Sequence, residues 1–148
     1  MKTYPVYLAS PWFNPEQEHR HDVVLHLLRQ HTEDVRAPRE IFSCPPDADA
    51  KTRTTTYRNN LKEIRKCRFV VAITDEKDQG THVEWGYAMA YGTPIVGVAL
   101  TLGDRPFNLM LAESAHCTAR TIPELEDILT YFDTNDVLPA RDWEGTIE

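Results

Sequence analysis

The sequence lacks an excess of basic residues, long apolar runs and the glycine-rich motifs of phosphate-binding loops. It has 16 Lys and Arg against 23 Asp and Glu, a net charge of −7. That balance argues against nucleic acid as a partner, because its backbone requires a basic face. No apolar run approaches the length of a membrane span. The motifs GxGxxG and GxxxxGK(S/T) are both absent, which disfavours a dinucleotide or triphosphate ligand.

Cysteine and histidine patterns that mark disulfide frameworks or zinc sites are also missing. The cysteines are widely spaced and form no CxxC pair (Cys44, Cys67, Cys117), so we expect reduced thiols. The histidines form no HExxH motif, and those near the first helix are expected to be a solvated surface cluster. The first residues lack the apolar core of a signal peptide. We therefore predict a cytoplasmic protein without a metal site.

What the sequence contains fits one soluble globular domain spanning residues 1–148. Its 41% hydrophobic and 26% charged residues are ordinary for such a domain. Strands are expected at 4–9, 34–37, 69–74, 94–100 and 116–119, and helices at 16–31, 51–67, 81–91 and 122–132. This alternation predicts a doubly wound, flavodoxin-like α/β fold, in which a five-stranded parallel sheet carries helices on both faces.

Two segments are expected to be long loops, at 38–50 and 101–115. In the helix predicted at 51–67, the helical spacing places Tyr57, Leu61 and Ile64 on the inward side, with Asn60 on the same face.

Glu84 lies between an apolar strand and a helix rich in small residues. In an open α/β sheet, the carboxyl end of a strand borders the active-site crevice, so a carboxylate there is a candidate nucleophile or general base. Asp78 adds a second carboxylate to the same loop, which suits acid-assisted departure of a leaving group. Thr81 and Glu84 also have the spacing of a capping box, with Thr81 as the N-cap. The same spacing is therefore compatible with a purely structural role for Glu84.

Aromatic side chains in and after the first strand are expected at the same crevice. Tyr7 lies on an apolar strand, and its hydroxyl needs a partner, such as a nearby carboxylate, if it is buried. Trp12 and Phe13 follow in the next loop; they can stack on a flat ring, although both could equally be core residues. With Asp78 or Asn60 hydrogen-bonding to the ring edge, this set predicts a ligand such as a nucleobase on a sugar.

Five segments of the sequence resemble the nucleoside 2-deoxyribosyltransferase family. They are VYLASPWF at 6–13, YRNNL at 57–61, DQGTHVEWGYA at 78–88, PFNLM at 106–110 and EG at 144–145. The third segment, followed at this distance by Asn-Leu-Met, is the most specific part. The resemblance implies exchange of the base between 2′-deoxynucleosides and free nucleobases, without a metal or cofactor. It also implies homo-oligomers, often hexamers built from dimers, whose active sites are shared between subunits.

The resemblance implies catalytic roles for three residues. Glu84 matches the nucleophile that forms a covalent deoxyribosyl intermediate, and Tyr7 matches the tyrosine that hydrogen-bonds and orients it. Asp78 matches a carboxylate that binds the base and supports its protonation as it leaves. The expected reaction is a double displacement. Water in place of the second base would give hydrolysis.

The resemblance also implies substrate contacts. Asn108 matches an asparagine that reaches the sugar 5′-hydroxyl from a neighbouring subunit, with Met110 beside it. The end of the chain lies near the active site in this family, so Glu144 and Glu148 are expected to contact base or sugar. Asn60 stands where bacterial members carry a base-binding aspartate, and Glu148 stands where well-known members carry a terminal aromatic residue.

Two other functions are compatible with the same fold. One is hydrolysis of nucleoside 5′-monophosphates, for which related enzymes use a first loop rich in Gly, Ser and Arg; here the residues at 9–14 include neither Gly nor Arg. The other is a non-catalytic nucleotide-sensing or scaffold module in which Glu84 only caps a helix. Such a module would lose about 1 kcal/mol of stability on replacement of Glu84 and would catalyse no reaction.

Overall fold

The computed structural model describes residues 2–42 and 44–148 and confirms the doubly wound α/β fold. Within these residues, five parallel strands form one sheet in the order β2-β1-β3-β4-β5. The strands are β1 Val6–Ala9, β2 Val35–Arg36, β3 Phe69–Ile73, β4 Ile95–Val98 and β5 Cys117–Ala119. The helices are α1 Pro15–His31, α2 Pro38–Ile41, α3 Ala50–Lys66, α4 Gln79–Tyr91, α5 Leu109–Ser114 and α6 Ile122–Asn135.

Local sequence determines where the long helices begin and end. Asn14, Asp49 and Thr121 cap α1, α3 and α6, because each side chain accepts a hydrogen bond from the backbone N–H three residues later. Helix α4 ends before Gly92, as predicted. The φ of Gly92 is 96°, a left-handed conformation that glycine adopts without strain.

The two faces of the sheet carry separate hydrophobic cores. Side chains alternate along a strand, so Val6 and Leu8 pack under α1 and α6, whereas Tyr7 faces the opposite side. Helices α3 and α4 cover that second side through Ile64 and Trp85, among others. Tyr7 therefore brings a hydroxyl group into a largely apolar layer.

The strand order leaves a crevice above β1 and β3. From β1 the chain proceeds to β2 at one edge, and from β3 it proceeds through β4 to β5 at the other. The helices that follow β1 and β3 consequently cover opposite faces of the sheet and diverge at the carboxyl ends of these two strands. Glu84, Tyr7 and the loop after β1 all lie on the elements that border this crevice.

Three local predictions are wrong. The segments predicted as loops at 38–50 and 101–115 contain α2 and α5, although Ser43 lies outside the described residues. Tyr57 is 57% exposed and does not face inward, because the first half of α3 is largely exposed and its packing on the sheet begins near Asn60.

Within 2–42 and 44–148, the helices lack the length and apolar character that a membrane crossing requires.

Candidate active site

A phenol and a carboxylate meet where β1 passes beneath α4. Tyr7 is fully buried, and its hydroxyl donates a hydrogen bond to Oε2 of Glu84. Trp85 and Ala88 anchor α4 to the sheet, so the neighbouring Glu84 lies on the side of the helix that faces β1. The partner expected for a buried Tyr7 hydroxyl is thus present in the fold of a single chain.

The surroundings of Glu84 favour its protonated form. Burial raises the pKa of Glu84 from 4.5 to about 7; the charge of Asp78 also raises it, and the hydrogen bond from Tyr7 lowers it. Burial and the Glu84 charge raise the pKa of Tyr7 well above its ordinary value, so the phenol remains a hydrogen-bond donor. A carboxyl group that titrates near neutral pH can exchange between acid and base forms at little cost, as catalytic carboxyl groups do.

Helix α4 is capped by Asp78, and the predicted capping box is wrong. Oδ2 of Asp78 accepts hydrogen bonds from the backbone N–H of Thr81 at 2.8 Å and from its hydroxyl at 2.9 Å. The helix therefore starts at Gln79, two residues before the predicted start, and Thr81 lies inside it, 1% exposed. Glu84 is consequently not needed as a cap, and its carboxylate turns to Tyr7 instead.

The aromatic pair after β1 forms one wall beside the crevice. The rings of Trp12 and Phe13 lie 5.3 Å apart at an angle of 35°. The edge of Trp12 also packs against buried His21 at 6.1 Å. Phe13 is 72% exposed, so the alternative that Phe13 belongs to the core is wrong, whereas Trp12 is partly buried. Phe13 thus offers a free ring face to a flat ligand.

Glu76 ties this aromatic loop to the loop that precedes α4. Its carboxylate accepts hydrogen bonds from Gln17 at 2.7 Å and Asn14 at 3.3 Å, and it pairs with Arg20 at 2.8 Å. These contacts lower the pKa of Glu76 to about 2. Glu76 and Lys77 have φ values of 64° and 54°, a left-handed conformation that is costly for residues other than glycine. The sequence does not single out Glu76, because Glu and Lys give no local indication of such a turn.

Asn60 lies on the side of α3 that packs on the sheet. It precedes the buried Ile64 by one helical turn, and Ile64 belongs to the same cluster as Tyr7. Among the described residues, Oδ1 of Asn60 is buried and has no hydrogen-bond partner. A buried amide oxygen without a partner is uncommon in a folded protein, and the side-chain amide can donate or accept once a ligand is present.

Asn108 and Glu148 line a cavity whose walls include neither Tyr7 nor Glu84. Oδ1 of Asn108 caps α5 by accepting from the backbone N–H of Met110 at 3.0 Å, and Met110 is 70% exposed. The chain end runs beside them, with the N–H of Glu148 bonded to the carbonyl of Phe107 at 2.9 Å. Asn108 and Glu148 together line a cavity of about 670 Å³.

Glu144 lies neither at the Tyr7–Glu84 contact nor among the residues that line the cavity beside Asn108. It lies exposed in a polar groove beside Trp143 and Arg120, where the Arg120 guanidinium stacks 4.0 Å above the Trp143 ring. The fold therefore brings Tyr7, Glu84 and Asp78 together, whereas Asn108 and Glu148 line the cavity and Glu144 lies in the polar groove. Across the described residues, no cluster of three or more His, Cys, Asp or Glu side chains is placed to hold a metal ion.

Most of the candidate site residues lie within the segment that a protein-family model matches. The model of the family described as nucleoside 2-deoxyribosyltransferase matches residues 6–116, which include Tyr7, Asp78, Glu84 and Asn108. The chain belongs to this family. Glu144 and Glu148 lie beyond the matched segment. No curated protein sequence matches the chain.

Three solved structures are similar in fold to this chain. A 2-deoxyribosyltransferase from Bacillus psychrosaccharolyticus has a TM-score of 0.74 and 27% identity, over 83% of this chain and 90% of that one. A conserved protein from Enterococcus faecalis V583 has a TM-score of 0.68 and 16% identity, over 88% and 99% of the two chains. A Clostridium botulinum CMP N-glycosidase, BcmB, has a TM-score of 0.53 and 17% identity, over 86% and 98%. At these identities, the last two show a shared fold alone.

Membership of the deoxyribosyltransferase family indicates an enzyme that transfers or hydrolyses a glycosyl group. The sequence prediction of the family and of its fold is thereby confirmed. The roles assigned to individual residues remain predictions.

Proposed function

We propose that the chain is a nucleoside 2′-deoxyribosyltransferase that exchanges the nucleobase of 2′-deoxynucleosides through a covalent intermediate on Glu84. The observation that supports this proposal is the hydrogen bond from buried Tyr7 to Glu84. Among the described residues, the Glu84 carboxylate is paired with no cation and accepts its hydrogen bond from a phenol. Such a carboxylate is oriented but is not neutralised by an ion pair, which suits a nucleophile.

The first half of the reaction transfers the sugar to the enzyme. Tyr7 holds Oε2 of Glu84, so we assign the attack to Oε1. Oε1 forms a bond to C1′ while the C1′–N bond breaks, and the electron pair leaves with the base, which gains a proton with help from Asp78. The transition state has oxocarbenium character, as in retaining glycosidases.

The second half returns the sugar to a new base. A nitrogen of the incoming base bonds to C1′, the ester bond to Glu84 breaks, and its electron pair returns to the carboxylate. The incoming base loses its proton by the reverse of the transfer that protonated the leaving base. Two displacements at C1′ give overall retention of configuration. Water as acceptor would instead release free sugar, which is the glycosidase alternative.

Base exchange tests the proposal directly. The protein is incubated with thymidine and adenine, and deoxyadenosine is sought by chromatography. We expect deoxyadenosine with the native chain and none with Glu84→Ala, which stays folded. Failure across several donor and acceptor pairs, with no free base released, contradicts the transferase and glycosidase proposals together. Release of free base without exchange identifies a hydrolase, and activity on a deoxynucleotide but not its deoxynucleoside identifies a monophosphate N-glycosidase.

We propose that Asn60 contributes to base choice. Its unpaired Oδ1 on the packed side of α3 supports a polar contact that only a ligand completes. Asparagine can donate and accept but cannot supply a proton as a carboxylic acid can. Repeating the exchange with Asn60→Asp is expected to change the ratio of products from competing bases. An unchanged ratio contradicts this role.

We also propose that the enzyme is a homo-oligomer, built from dimers, in which each subunit completes its neighbour's site. Exposed apolar side chains on α4 and α5 support this proposal, since apolar groups left open to solvent are available to a second copy (Val83, Met89, Tyr91, Leu109, Met110). Asn108 lines a cavity that does not include Glu84 of its own chain, and Met110 is exposed. A two-fold arrangement can bring these residues from one subunit to Glu84 of the other.

Mixing two inactive variants tests the shared site. Glu84→Gln and Asn108→Ala are each expected to be nearly inactive as pure proteins. After mixing and subunit exchange, a heterodimer contains one site with both native residues, so activity should return toward one quarter of the native value, because half of the dimers are mixed and each has one intact site. Persistent inactivity of a mixture in which mass spectrometry of the intact oligomers shows subunit exchange contradicts the shared site.

We place this activity in the cytoplasm, in the salvage of purine and pyrimidine deoxynucleosides. Three free cysteines, one of them exposed, suit a reducing compartment. Base exchange converts a surplus deoxynucleoside into a scarce one, which is a salvage reaction. Fractionation of cells with an antibody to the chain tests the location.

A further inference from the structure

The exposed ring of Phe13 depends on its backbone for a defined position. Phe13 is 72% exposed, so the hydrophobic core does not hold its ring in place. Its backbone N–H donates a hydrogen bond to Oε1 of Gln17 at 2.8 Å. The place of this ring beside the crevice is therefore set by the side chain of Gln17 and by the group that holds that side chain.

Glu76, in the turn that follows β3, holds Gln17. Nε2 of Gln17 donates a hydrogen bond to Oε2 of Glu76 at 2.7 Å, while Oε1 of Glu76 pairs with Arg20 at 2.8 Å. The two ends of the Gln17 amide have opposite roles, since the oxygen accepts from an N–H and the nitrogen donates to a carboxylate. Gln17 thus connects the backbone of Phe13 to the carboxylate of Glu76.

The neighbouring Asp75 fixes the other side of the same turn. Its carboxylate accepts hydrogen bonds from the backbone N–H groups of Leu100 at 3.1 Å and Thr101 at 2.6 Å, which follow β4. Asp75 is 5% exposed, so this anchor is shielded from water. Two successive carboxylates consequently connect the turn after β3 to the loop after β4 and, through Glu76, to the loop after β1.

The same turn determines where α4 begins. Glu76 and Lys77 have φ values of 64° and 54°, which residues with a Cβ rarely adopt unless surrounding contacts hold them there. The hydrogen bonds of Asp75 and Glu76 are such contacts. Asp78 comes directly after the turn and caps α4, the helix that carries Glu84. The turn therefore contacts the aromatic wall on one side and leads into the catalytic helix on the other.

We propose that Glu76 is a positioning residue for base binding, which holds Phe13 through Gln17 and keeps this wall in a fixed place relative to Asp78. The proposal rests on the proposed function and specifies how its site is ordered before the base arrives. Glu76 does not contact the reacting atoms in this role. A wall that is already ordered avoids the loss of affinity that ordering a mobile loop on binding would cause.

Steady-state base exchange with thymidine and varied adenine separates positioning from folding. Glu76→Ala removes the contact with Gln17, so we expect KM for adenine to rise about tenfold, with kcat within about threefold because saturating base orders the wall again. Gln17→Ala should act alike, and the double variant should be little worse than either, since both break one connection. A folding defect alone would lower kcat through the active fraction and leave KM unchanged.

Glu18→Ala is the matched control. Glu18 follows Gln17 on α1 and also pairs with an arginine, but that partner is Arg39 of α2, at 3.1 Å. Its loss leaves the contact between Gln17 and Glu76 in place. We expect KM for adenine to stay within about twofold of the native value, because exposed ion pairs contribute little on their own.

Amide hydrogen exchange followed by NMR tests the connection without any reaction. The N–H of Thr81 donates to Asp78 and so reports on the start of α4. Gln17→Ala should speed hydrogen exchange about tenfold at Phe13 and also at Thr81, on the other side of the turn, whereas Glu18→Ala should change neither. Unchanged hydrogen exchange at Thr81, or an unchanged KM for adenine in Glu76→Ala, overturns the proposal. A native chain without base exchange contradicts the proposed function instead, and hydrogen exchange still decides the connection.

Discussion

Glu63 on α3 and Glu84 on α4 are shielded carboxylates on adjacent helices, but they have opposite surroundings. Glu63 is 7% exposed and accepts hydrogen bonds from Arg36 at 2.9 Å and Lys66 at 3.1 Å. Glu84 faces the Tyr7 hydroxyl and the charge of Asp78, and burial raises its pKa to about 7. Glu63 therefore has two cations to balance its charge, whereas no cation pairs with Glu84 among the described residues.

This difference separates a structural carboxylate from a candidate catalytic one. A carboxylate between two cations gains most of its stabilisation as an anion and gives up that stabilisation if it forms a bond elsewhere. An anion that accepts a hydrogen bond from a single phenol gives up less stabilisation when it forms a new bond. A buried charge without a cation lowers the stability of the fold, and such a cost commonly accompanies a functional role.

Replacing each glutamate by glutamine should produce the largest contrast. Glu84→Gln removes the nucleophile, so we expect kcat for base exchange to fall at least about 1,000-fold, with the fold intact. Glu63→Gln should leave kcat within about threefold and lower the free energy of unfolding by about 2 kcal/mol, because Arg36 and Lys66 lose a charged partner. Steady-state kinetics and urea unfolding of both variants provide the comparison. Equal losses of activity would remove the distinction.

Tyr7→Phe should shift the pH dependence of the reaction. Glu84 must be ionised to attack, so kcat/KM of the native enzyme should rise with pH through about 7. The Tyr7 hydrogen bond lowers the pKa of Glu84, and its loss should move this rise to higher pH. We also expect kcat/KM at pH 7 to fall about 30-fold, the equivalent of one hydrogen bond to a charged group. A rate loss with an unmoved pH profile would contradict the role of Tyr7.

Much of this arrangement could be predicted from sequence, for identifiable reasons. Apolar strands alternating with helices determined the sheet, and a carboxylate after β3 pointed to the crevice. The N-cap of α4 could not be predicted, since Asp78 and Thr81 are both good caps and the path of the backbone decides between them. The contacts of Glu76 with α1 depend on a left-handed turn at residues that rarely adopt one. The pairing of Phe107, next to Asn108, with the chain end depends on tertiary packing, which local patterns do not encode.

The raised pKa of Glu84 should also affect stability. The folded-state pKa of Glu84 is about 7, above the ordinary value of 4.5. Between pH 4.5 and 7 the Glu84 carboxyl group therefore keeps its proton in the folded chain and loses it in the unfolded chain. The stabilisation from this group is complete below about pH 4.5 and is lost as pH rises through about 7. The native protein should therefore lose about 3 kcal/mol relative to Glu84→Gln between pH 4.5 and 8. Urea unfolding of both proteins at the two pH values measures the difference.

Two replacements of Asp78 separate its structural role from its chemical one. Asparagine keeps the side-chain oxygen that accepts from Thr81, whereas alanine removes it, so Asp78→Ala should be about 1 kcal/mol less stable than Asp78→Asn. Both lose the negative charge that raises the pKa of Glu84, so both should move the pH–rate profile to lower pH. If Asp78 assists the leaving base, both should also lose kcat to a similar extent. A loss of kcat confined to Asp78→Ala would instead assign the whole effect to the helix cap, and Glu84 would then carry the chemistry without a second carboxylate.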